Sequence, residues 1–543
     1  MNKAVKVLFA AVAMLVAGTA TSFGKSSTAN PPRLVVNIVV GSMRLADLER
    51  YSSNFASIGL ARVGNEGMVF TNASYNHSTA STATSLATLT TGANPALHGV
   101  IGDSWYDYTT SKSVSLTMDP TAKNMNYSID DSGHSPLNLL APTLTDALLR
   151  ENEASKSMTI ALDPTSAVVM NGKVGEAVWF DPFSCEWATS TAYGYELPQW
   201  VADYNEANPR SKDSLVKWVP VKKPEQYKNS TTFGLVGRAN DSHEDVELSA
   251  EVRSVWGKYE VYDNVAFTPL GNTMTLDLAW QAIRALDMGK DEVPDVVNIS
   301  LDAARYITSR YGTNSVEAED MYYHLDRDFA QFVAKVYTWV RNKDVVIVLT
   351  SDHGTAPQYD EEKLFNPMQF RTLLNAFLGA KYGSAEWVLG YENNSIYLNH
   401  DHIYSKKRNL EQIQDEAAAF ALQFRGVSHA LTATTLRKTH FADGYGQKLQ
   451  NSYYPRRSGD VMISLMPGWV EEHLNTRSLS GSIYRYDTHV PVIFLGSKIS
   501  AKRITRPIDM TDVAPTLASI LNIEMPAVAE GEIIAELDGV REQ

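Results

Sequence analysis

Short runs of apolar, often β-branched residues recur along the chain between more polar stretches. The first run covers residues 33–41 and reads RLVVNIVVG, and similar runs lie at 157–162, 296–300, 345–352, 460–465 and 490–496. A run without polar–apolar alternation is typical of a strand that is buried on both faces of a parallel sheet. These runs therefore predict the strands of a mostly parallel sheet.

Between the strand runs, apolar residues recur every three or four positions, which predicts amphipathic helices. The clearest helical pattern covers residues 316–343, and weaker ones lie at 143–154, 276–287, 410–424 and 510–521. Strands that alternate with helices predict an α/β fold, in which a central sheet carries helices on both faces. Ligands of such folds bind beyond the carboxyl ends of the strands.

The stretch from about residue 164 to 273 has a different pattern. Short aromatic-rich pieces, among them AVWFD and LPQWVADYN, are separated there by Pro, Gly and Asn. We interpret this stretch as an insertion or cap on the sheet, where substrate selectivity would be set.

The first 24 residues have the three parts of a secretory signal peptide. Lys3 and Lys6 precede an apolar run at residues 7–16, and small residues follow it. This order predicts export, with cleavage after Ala20 or Gly24, a polar linker at 25–32 and a periplasmic location. The alternative is a buried N-terminal helix. The apolar run is too short to span a bilayer, and no later segment reaches the roughly 18 apolar residues that a span needs.

Composition and charge exclude several classes of function. The 543 residues are 44% hydrophobic and 20% charged, which is enough apolar material for a large core. The formal net charge is −14, without a long basic run, so nucleic acid and anionic membrane are excluded as main partners. Cys185 is the single cysteine, which excludes an intramolecular disulfide and a cysteine-rich metal site.

Candidate chemistry lies directly beside the predicted strands. Asp352 and His353, in TSDHG, follow the run VVIVL, and His489, in YDTHVP, precedes another run. An Asp–His pair at a strand end suits metal binding or acid–base work, although a surface turn with a helix cap would also explain it. Thr82 precedes a helical stretch, where a nucleophile can face an anion.

Together with TTGANPALHGVIGDSWYD (91–108), RRSGDVMISLMPGW (456–469) and TDVAPTLASIL (511–521), these segments resemble the alkaline phosphatase superfamily. The similarity is strongest to its phosphodiesterase/nucleotide pyrophosphatase and bacterial monoesterase branches, and it covers residues 33–525 in order. The resemblance implies an alkaline phosphatase-like α/β domain over 33–543. It also implies two divalent metals, typically zinc, that activate a Thr or Ser nucleophile.

Carried over residue by residue, the implied metal site is incomplete. Three ligand positions keep suitable side chains, namely Asp352, His353 and His489. Three others are lost: the strand end V-V-D reads Val39-Val40-Gly41, and D-x-x-x-H falls on Arg305 and Ser309. The resemblance places the nucleophile at Thr82, with Ser81 and Thr84 as neighbouring alternatives.

The positions that hold the phosphoryl group in the resembling branch have also changed. They fall on Asp103, Asp163 and Thr165, so two carboxylates stand where a phosphate dianion would sit. We expect Arg305 to pair with Asp352 and to replace part of the lost metal charge. Asp302 is an alternative ligand three residues before it.

These departures predict a pseudoenzyme that binds a small ligand or a periplasmic or outer-membrane protein partner. We expect no cofactor, or at most one zinc ion. The alternative is an active phosphate or sulfate ester hydrolase with a one-metal site on Asp352, His353 and Thr82, with Thr82 as nucleophile.

Overall fold

The computed structural model describes residues 30–538 except for 126–132, 195, 209–217, 224–225, 228, 231–253, 257–258, 262, 357–362, 473–479 and 497. The predicted signal peptide and most of the linker lie outside the described residues. Among the helices of the described part, none is long and apolar enough to cross a membrane.

A large mixed sheet forms the centre of the molecule and confirms the predicted α/β fold. From one edge to the other, its strands are Lys502–Ile504, Met68–Ser74, His489–Leu495, Val345–Thr350, Leu34–Val40, Asp295–Leu301, Ser157–Ala161, Glu176–Asp181 and Glu186–Ala188. Leu34–Val40 pairs in parallel with both of its neighbours. Its position inside the sheet explains why its sequence is almost wholly apolar.

Alternate side chains of the central strand feed two hydrophobic cores, one on each face of the sheet. Leu34, Val36 and Ile38 contribute to one core, whereas Val35 and Val39 contribute to the other. This is the period-two pattern of a strand that is covered on both sides. The first core packs under helices Pro269–Ala285, Ala303–Tyr311 and Val316–Trp339, and the second under Thr82–Thr91, Leu144–Glu151, Pro164–Asn171 and Val513–Leu521.

Two of the predicted parallel strands are corrected by the structure. His489–Leu495 lies in the central sheet but is antiparallel to both of its neighbours. Val461–Leu465 belongs to a separate antiparallel sheet with Val388–Glu392, Ser395–Leu398 and Val427–Thr432. A short apolar run predicts a strand that is buried on both faces. It does not predict the direction of that strand or the sheet to which it belongs.

The smaller sheet has its own core. Helices Pro367–Tyr382 and Leu410–Gln423 contribute Phe370, Leu374 and Ile413 to this core, and all three side chains are buried. The turn between its first two strands contains Asn393 and Asn394, both with positive φ. In this turn, the Asn393 side chain donates to the carbonyl of Ser104, next to Asp103. The smaller sheet therefore forms one side of the cleft at the carboxyl edge of the central sheet.

The boundary predicted for the cap at about residue 164 is wrong. Helix Pro164–Asn171 and strand Glu176–Asp181 extend the central sheet, because the strand pairs in parallel with Ser157–Ala161. Further along, helix Gln199–Ala207 packs beside the sheet, and much of 209–253 lies outside the described residues.

The remaining described elements of more than three residues are helices Leu45–Tyr51, Leu60–Glu66, Pro95–His98, His400–Ser405, Ala433–Lys438, Gly444–Ser452 and Arg485–Thr488, 3-10 helix Asp263–Phe267, and strands Ser104–Asp107 and Lys112–Ser115.

Candidate functional site

The carboxyl ends of neighbouring parallel strands bring the candidate residues to one edge of the central sheet. Gly41 follows Leu34–Val40, and its amide donates to the carbonyl of Leu301 at 3.3 Å. Asp352 follows Val345–Thr350, and its Oδ1 accepts the amide of Ser42 at 2.8 Å. The edge on which ligands of such folds bind is therefore the edge that the sequence predicts.

Thr82 is the hydroxyl residue that faces the Asp–His pair. It is the first residue of helix Thr82–Thr91, and its Oγ1 donates to Asp352 Oδ2 at 2.9 Å and lies 3.3 Å from His353 Nε2. The alternative Ser81 instead donates to Thr84 at 3.0 Å, and Thr84 is fully buried. The geometry thus singles out Thr82 among the three candidates.

His353 is held in one orientation by the backbone. Its Nδ1 lies 2.6 Å from the carbonyl oxygen of Gly354, and because a carbonyl only accepts, this nitrogen carries a proton. In the neutral ring Nε2 is then an acceptor. Ser480 Oγ lies 3.3 Å from that nitrogen.

Asp352 is almost fully engaged by protein donors. Its Oδ1 accepts the amides of Ser42 and His353, both at 2.8 Å, while Oδ2 accepts Thr82 Oγ1. The side chain is 1% exposed. Three protein donors therefore orient the carboxylate, and His353 Nε2 also lies 3.2 Å from its Oδ2.

Arg305 does not pair with Asp352, and that prediction is wrong. Its Nη2 lies 2.6 Å from Asp163 Oδ2 and 3.5 Å from Asp302 Oδ1, and its guanidinium stacks on the Tyr306 ring with 4.2 Å to the centroid. Several carboxylates lie at this edge of the sheet, and the Arg305 guanidinium donates to Asp163.

The two carboxylates beside Arg305 respond to it differently. Burial alone would raise the pKa of Asp163, but the Arg305 guanidinium and hydrogen bonds from Tyr306 and Thr165 hold it below the usual value. Burial and the nearby Asp163 charge raise the pKa of Asp302, although Arg305 opposes this rise. The arginine therefore stabilises an ionised Asp163 most strongly.

Asp302 is a structural residue in this fold and does not fit the role of a replacement ligand. Its Oδ2 accepts the amides of Leu162 and Asp163, each at 3.0 Å, and its Oδ1 accepts Ser166 Oγ at 2.8 Å. The side chain is 1% exposed and ties two neighbouring strand ends together.

Gly41 and Arg305 fit each other sterically. A Cβ atom built on Gly41 would lie 2.9 Å from Arg305 Cβ and 3.2 Å from its backbone nitrogen. Such contacts are too close for a side chain, so the missing side chain at residue 41 makes room for helix Ala303–Tyr311 in its present position. Ser309 lies one turn beyond Arg305 on this helix.

The remaining substrate-pocket candidates lie around the same opening. Asp163 caps helix Pro164–Asn171, and its Oδ1 accepts the amide of Thr165 at 2.7 Å. Thr165 Oγ1 lies 3.5 Å from Thr117 Oγ1. Asp103 is exposed at this opening.

His489 is not part of this cluster, which corrects its assignment as a retained ligand. Its Nε2 donates to the carbonyl of Thr71 at 2.8 Å and lies 3.5 Å from an Arg485 nitrogen. The side chain that stands against His353 is Ser480. Sequence reasoning missed it because a serine carries no metal-ligand signature, and the nearby YDTHVP histidine drew the assignment.

The residues at this edge do not fit a two-metal centre. Within the described part of the chain, no group of three or more His, Cys, Asp or Glu side chains is placed to hold a metal ion. Asp352 and His353 are the two suitable donors in contact with Thr82. These three side chains could supply at most the ligands of one zinc ion, because a catalytic zinc site takes three protein ligands.

The fold and the strand-end cluster define the chain as a member of the alkaline phosphatase superfamily. The family described as type I phosphodiesterase / nucleotide pyrophosphatase matches residues 35–479, and the chain belongs to this family. It is 29% identical to alkaline phosphatase PafA of Elizabethkingia meningoseptica over 95% of this chain and 96% of that protein. It is also 27% identical to alkaline phosphatase PhoV of Synechococcus elongatus over 98% and 99% of the two chains.

A solved structure confirms the likeness of fold. The crystal structure of wild-type alkaline phosphatase PafA matches with a TM-score of 0.86 at 29% identity, covering 94% of this chain and 99% of that one. The superfamily and the alkaline phosphatase-like architecture predicted from the motifs are therefore confirmed.

Proposed function

We propose that this chain is a non-hydrolytic member of its family that binds a ligand at the carboxyl edge of its central sheet. The observation that carries the proposal is the Arg305–Asp163 ion pair, at 2.6 Å, with both side chains largely buried. A guanidinium is permanently protonated and presents only donors. It cannot activate a hydroxyl nucleophile as a metal ion does.

The rest of the edge supports the same conclusion. Thr82 donates its hydrogen bond to Asp352 Oδ2, and Oδ1 of the same carboxylate accepts two backbone amides. Among the described residues, no Lys or Arg forms a hydrogen bond or ion pair with Thr82, Asp352 or His353, and Arg305 pairs with Asp163 and Asp302. With its predicted signal peptide, the protein would perform this binding role in the periplasm.

The experiment is an ester hydrolysis assay on purified wild type and Thr82→Ala, with and without added zinc. Suitable substrates are p-nitrophenyl phosphate, bis(p-nitrophenyl) phosphate and p-nitrophenyl sulfate. We expect the hydrolysis rates of wild type and of Thr82→Ala to be equal to each other and to the rate in buffer without protein. A wild-type rate that zinc increases and Thr82→Ala abolishes would overturn the proposal, because covalent catalysis depends on that hydroxyl.

One observation favours a second candidate, a hydrolase with an altered one-metal site. Thr82, Asp352 and His353 remain in mutual contact, and relatives of similar length are alkaline phosphatases. In this candidate one zinc ion would lie on these three side chains. The same assay separates the two functions, since only the second predicts a zinc-dependent rate that requires Thr82.

A further inference from the structure

A pocket of about 380 Å³ is lined by helices Leu45–Tyr51 and Leu60–Glu66 together with strands of the central sheet. Its sheet residues Leu349 and Ile493 belong to the hydrophobic core on the face of the sheet opposite to helix Thr82–Thr91. All of the lining residues lie in the described part of the chain, and none of them belongs to the strand-end cluster. The pocket is therefore a separate place at which a ligand can bind.

The pocket has an apolar floor and a polar rim. Its fully buried lining side chains are all apolar, namely Leu60, Val63, Val69, Leu349 and Ile493. Half-buried apolar side chains continue the walls, namely Leu45, Leu48, Phe55 and Ala61. The exposed lining side chains are polar, namely Glu49, Ser52, Asn65 and Arg503. An apolar interior with a few polar groups and a volume of about 300–1,000 Å³ is typical of small-molecule sites.

The apolar interior has room for a chain or ring system of several carbon atoms. An apolar cavity of about 150 Å³ is sufficient to hold benzene, and this pocket has more than twice that volume. An aliphatic chain in the pocket would cover the half-buried side chains of Leu45, Leu48 and Phe55. Removal of this apolar surface from water favours binding.

The two charged groups of the rim are paired with each other. Arg503, on edge strand Lys502–Ile504, forms an ion pair with Glu49 on helix Leu45–Tyr51, and their side chains are 58% and 52% exposed. A guanidinium has only donors and an ionised carboxylate only acceptors, so the pair offers both kinds of group side by side. A carboxylate on a ligand would be repelled by Glu49, and an ammonium group by Arg503. The rim therefore favours an uncharged head group.

We propose that this pocket binds an uncharged amphiphile, an aliphatic chain that ends in a hydroxyl or amide group. The chain lies on the apolar floor, while the head group donates to the Glu49 carboxylate and accepts from the Arg503 guanidinium. The proposal does not depend on the function proposed for the strand-end cluster, because the two sites share no lining residue.

The test compares three probes with the same chain and different head groups: 1-hexanol, hexanoate and hexylammonium. Binding to the purified protein is measured by ligand-observed NMR at pH 7.5, where the last two are charged. We expect 1-hexanol to bind about tenfold or more tightly than either of them, which corresponds to about 1.4 kcal/mol. 1-Butanol should bind about fifteenfold more weakly than 1-hexanol, because each buried methylene contributes about fourfold.

Ala61→Phe tests the position of the chain. Ala61 is a half-buried lining residue, so a phenyl ring there should occupy the pocket and weaken 1-hexanol binding about tenfold or more. Ala419→Phe is the matched control, since Ala419 is exposed on helix Leu410–Gln423 and does not line the pocket. It should change binding by less than about twofold. Thermal unfolding shows whether each variant is folded.

The rim variants Glu49→Gln and Arg503→Gln test the head group and keep the proposal testable if Ala61→Phe does not fold, because both residues are exposed. Glu49→Gln leaves the guanidinium without its carboxylate partner, so hexanoate should bind several-fold more tightly than to wild type. Arg503→Gln should do the same for hexylammonium. Equal binding of the three hexyl probes by wild type, full 1-hexanol binding by folded Ala61→Phe, or charged-probe affinities that the rim variants leave unchanged would each overturn the proposal.

Discussion

The candidate site has two halves that share one sheet edge and are stabilised in different ways. In the nucleophile half, backbone groups orient Asp352 and His353, among them the Ser42 amide and the Gly354 carbonyl, and Asp352 accepts the Thr82 hydroxyl. In the arginine half, Arg305 is oriented by the charges of Asp163 and Asp302. The first half contains a hydroxyl, a carboxylate and an imidazole in mutual contact, while the second contains a guanidinium between two carboxylates.

The two halves satisfy their buried carboxylates with different groups. Buried carboxylates need either donors or a positive charge. Backbone amides satisfy Asp352, whereas Asp163 depends on a guanidinium and the Tyr306 hydroxyl. The arginine half should therefore be the part of the edge whose stability is most sensitive to substitution.

The largest expected effect is that of Arg305→Ala. Removal of the guanidinium leaves two buried carboxylates unpaired, and breaking a buried ion pair in this way costs about 3–5 kcal/mol. Urea unfolding of the variant measures this loss. Arg503→Ala is the control, because its ion pair with Glu49 has side chains that are 58% and 52% exposed, and it should cost less than about 1 kcal/mol. Equal costs for the two variants would show that the arginine half is not held by charge.

The stability gap between wild type and Arg305→Ala should depend on pH. Arg305 holds the pKa of Asp163 below 3.8, so its contribution is present above that pH and is lost as the pH falls through the lowered pKa. We therefore expect the gap to narrow when unfolding is measured at pH 3 instead of pH 7. A gap that is constant or that widens in acid would contradict the ion-pair account.

Gly41→Ala should have the next largest effect. The new Cβ would lie 2.9 Å from Arg305 Cβ, and overpacking of this kind costs about 1–3 kcal/mol. Gly64→Ala is the matched control, because Gly64 lies in helix Leu60–Glu66 with no atom near its absent Cβ. That substitution should stabilise the protein by about 0.5–1 kcal/mol, since Ala favours helix. Thermal unfolding of both variants makes the comparison, and a neutral Gly41→Ala would refute the steric fit.

In the nucleophile half, Thr82→Val should cost only about 1 kcal/mol. The variant removes one hydrogen bond to Asp352 but leaves the backbone donors to that carboxylate in place. Thr82→Ser keeps the hydroxyl and should match wild type in urea unfolding. If Thr82→Val is as damaging as Arg305→Ala, the two halves are not stabilised differently.

The sequence predicts those parts of the molecule that depend on local pattern. The central strands are recognisable as apolar runs, and Asp352 and His353 are recognisable because a DHG segment follows such a run. The change at Gly41 is visible in the same way, at the end of strand Leu34–Val40.

The local sequence pattern does not show which residues far apart in the chain contact each other. Arg305 could reach several carboxylates at one edge, and its pairing with Asp163 depends on how helix Ala303–Tyr311 leaves its strand. The His489 ring contacts Thr71 because an antiparallel strand begins at His489, and Ser480, to which the sequence pattern assigned no role, contacts His353 instead. Such outcomes follow from tertiary packing, which overrides local signals.

The most direct test of the account is zinc-dependent thermal unfolding of wild type and of the combined variant Gly41→Asp, Arg305→Asp and Ser309→His. A second combined variant adds Ser480→His, which would place an imidazole beside His353. A metal that binds only the native state raises Tm, and each protein is compared with its own metal-free form, so baseline losses cancel. The account predicts no zinc-dependent rise in wild type, and a rise in the combined variants that is larger when Ser480→His is present. An equal rise in wild type would contradict it, because zinc would then bind without the substituted ligands.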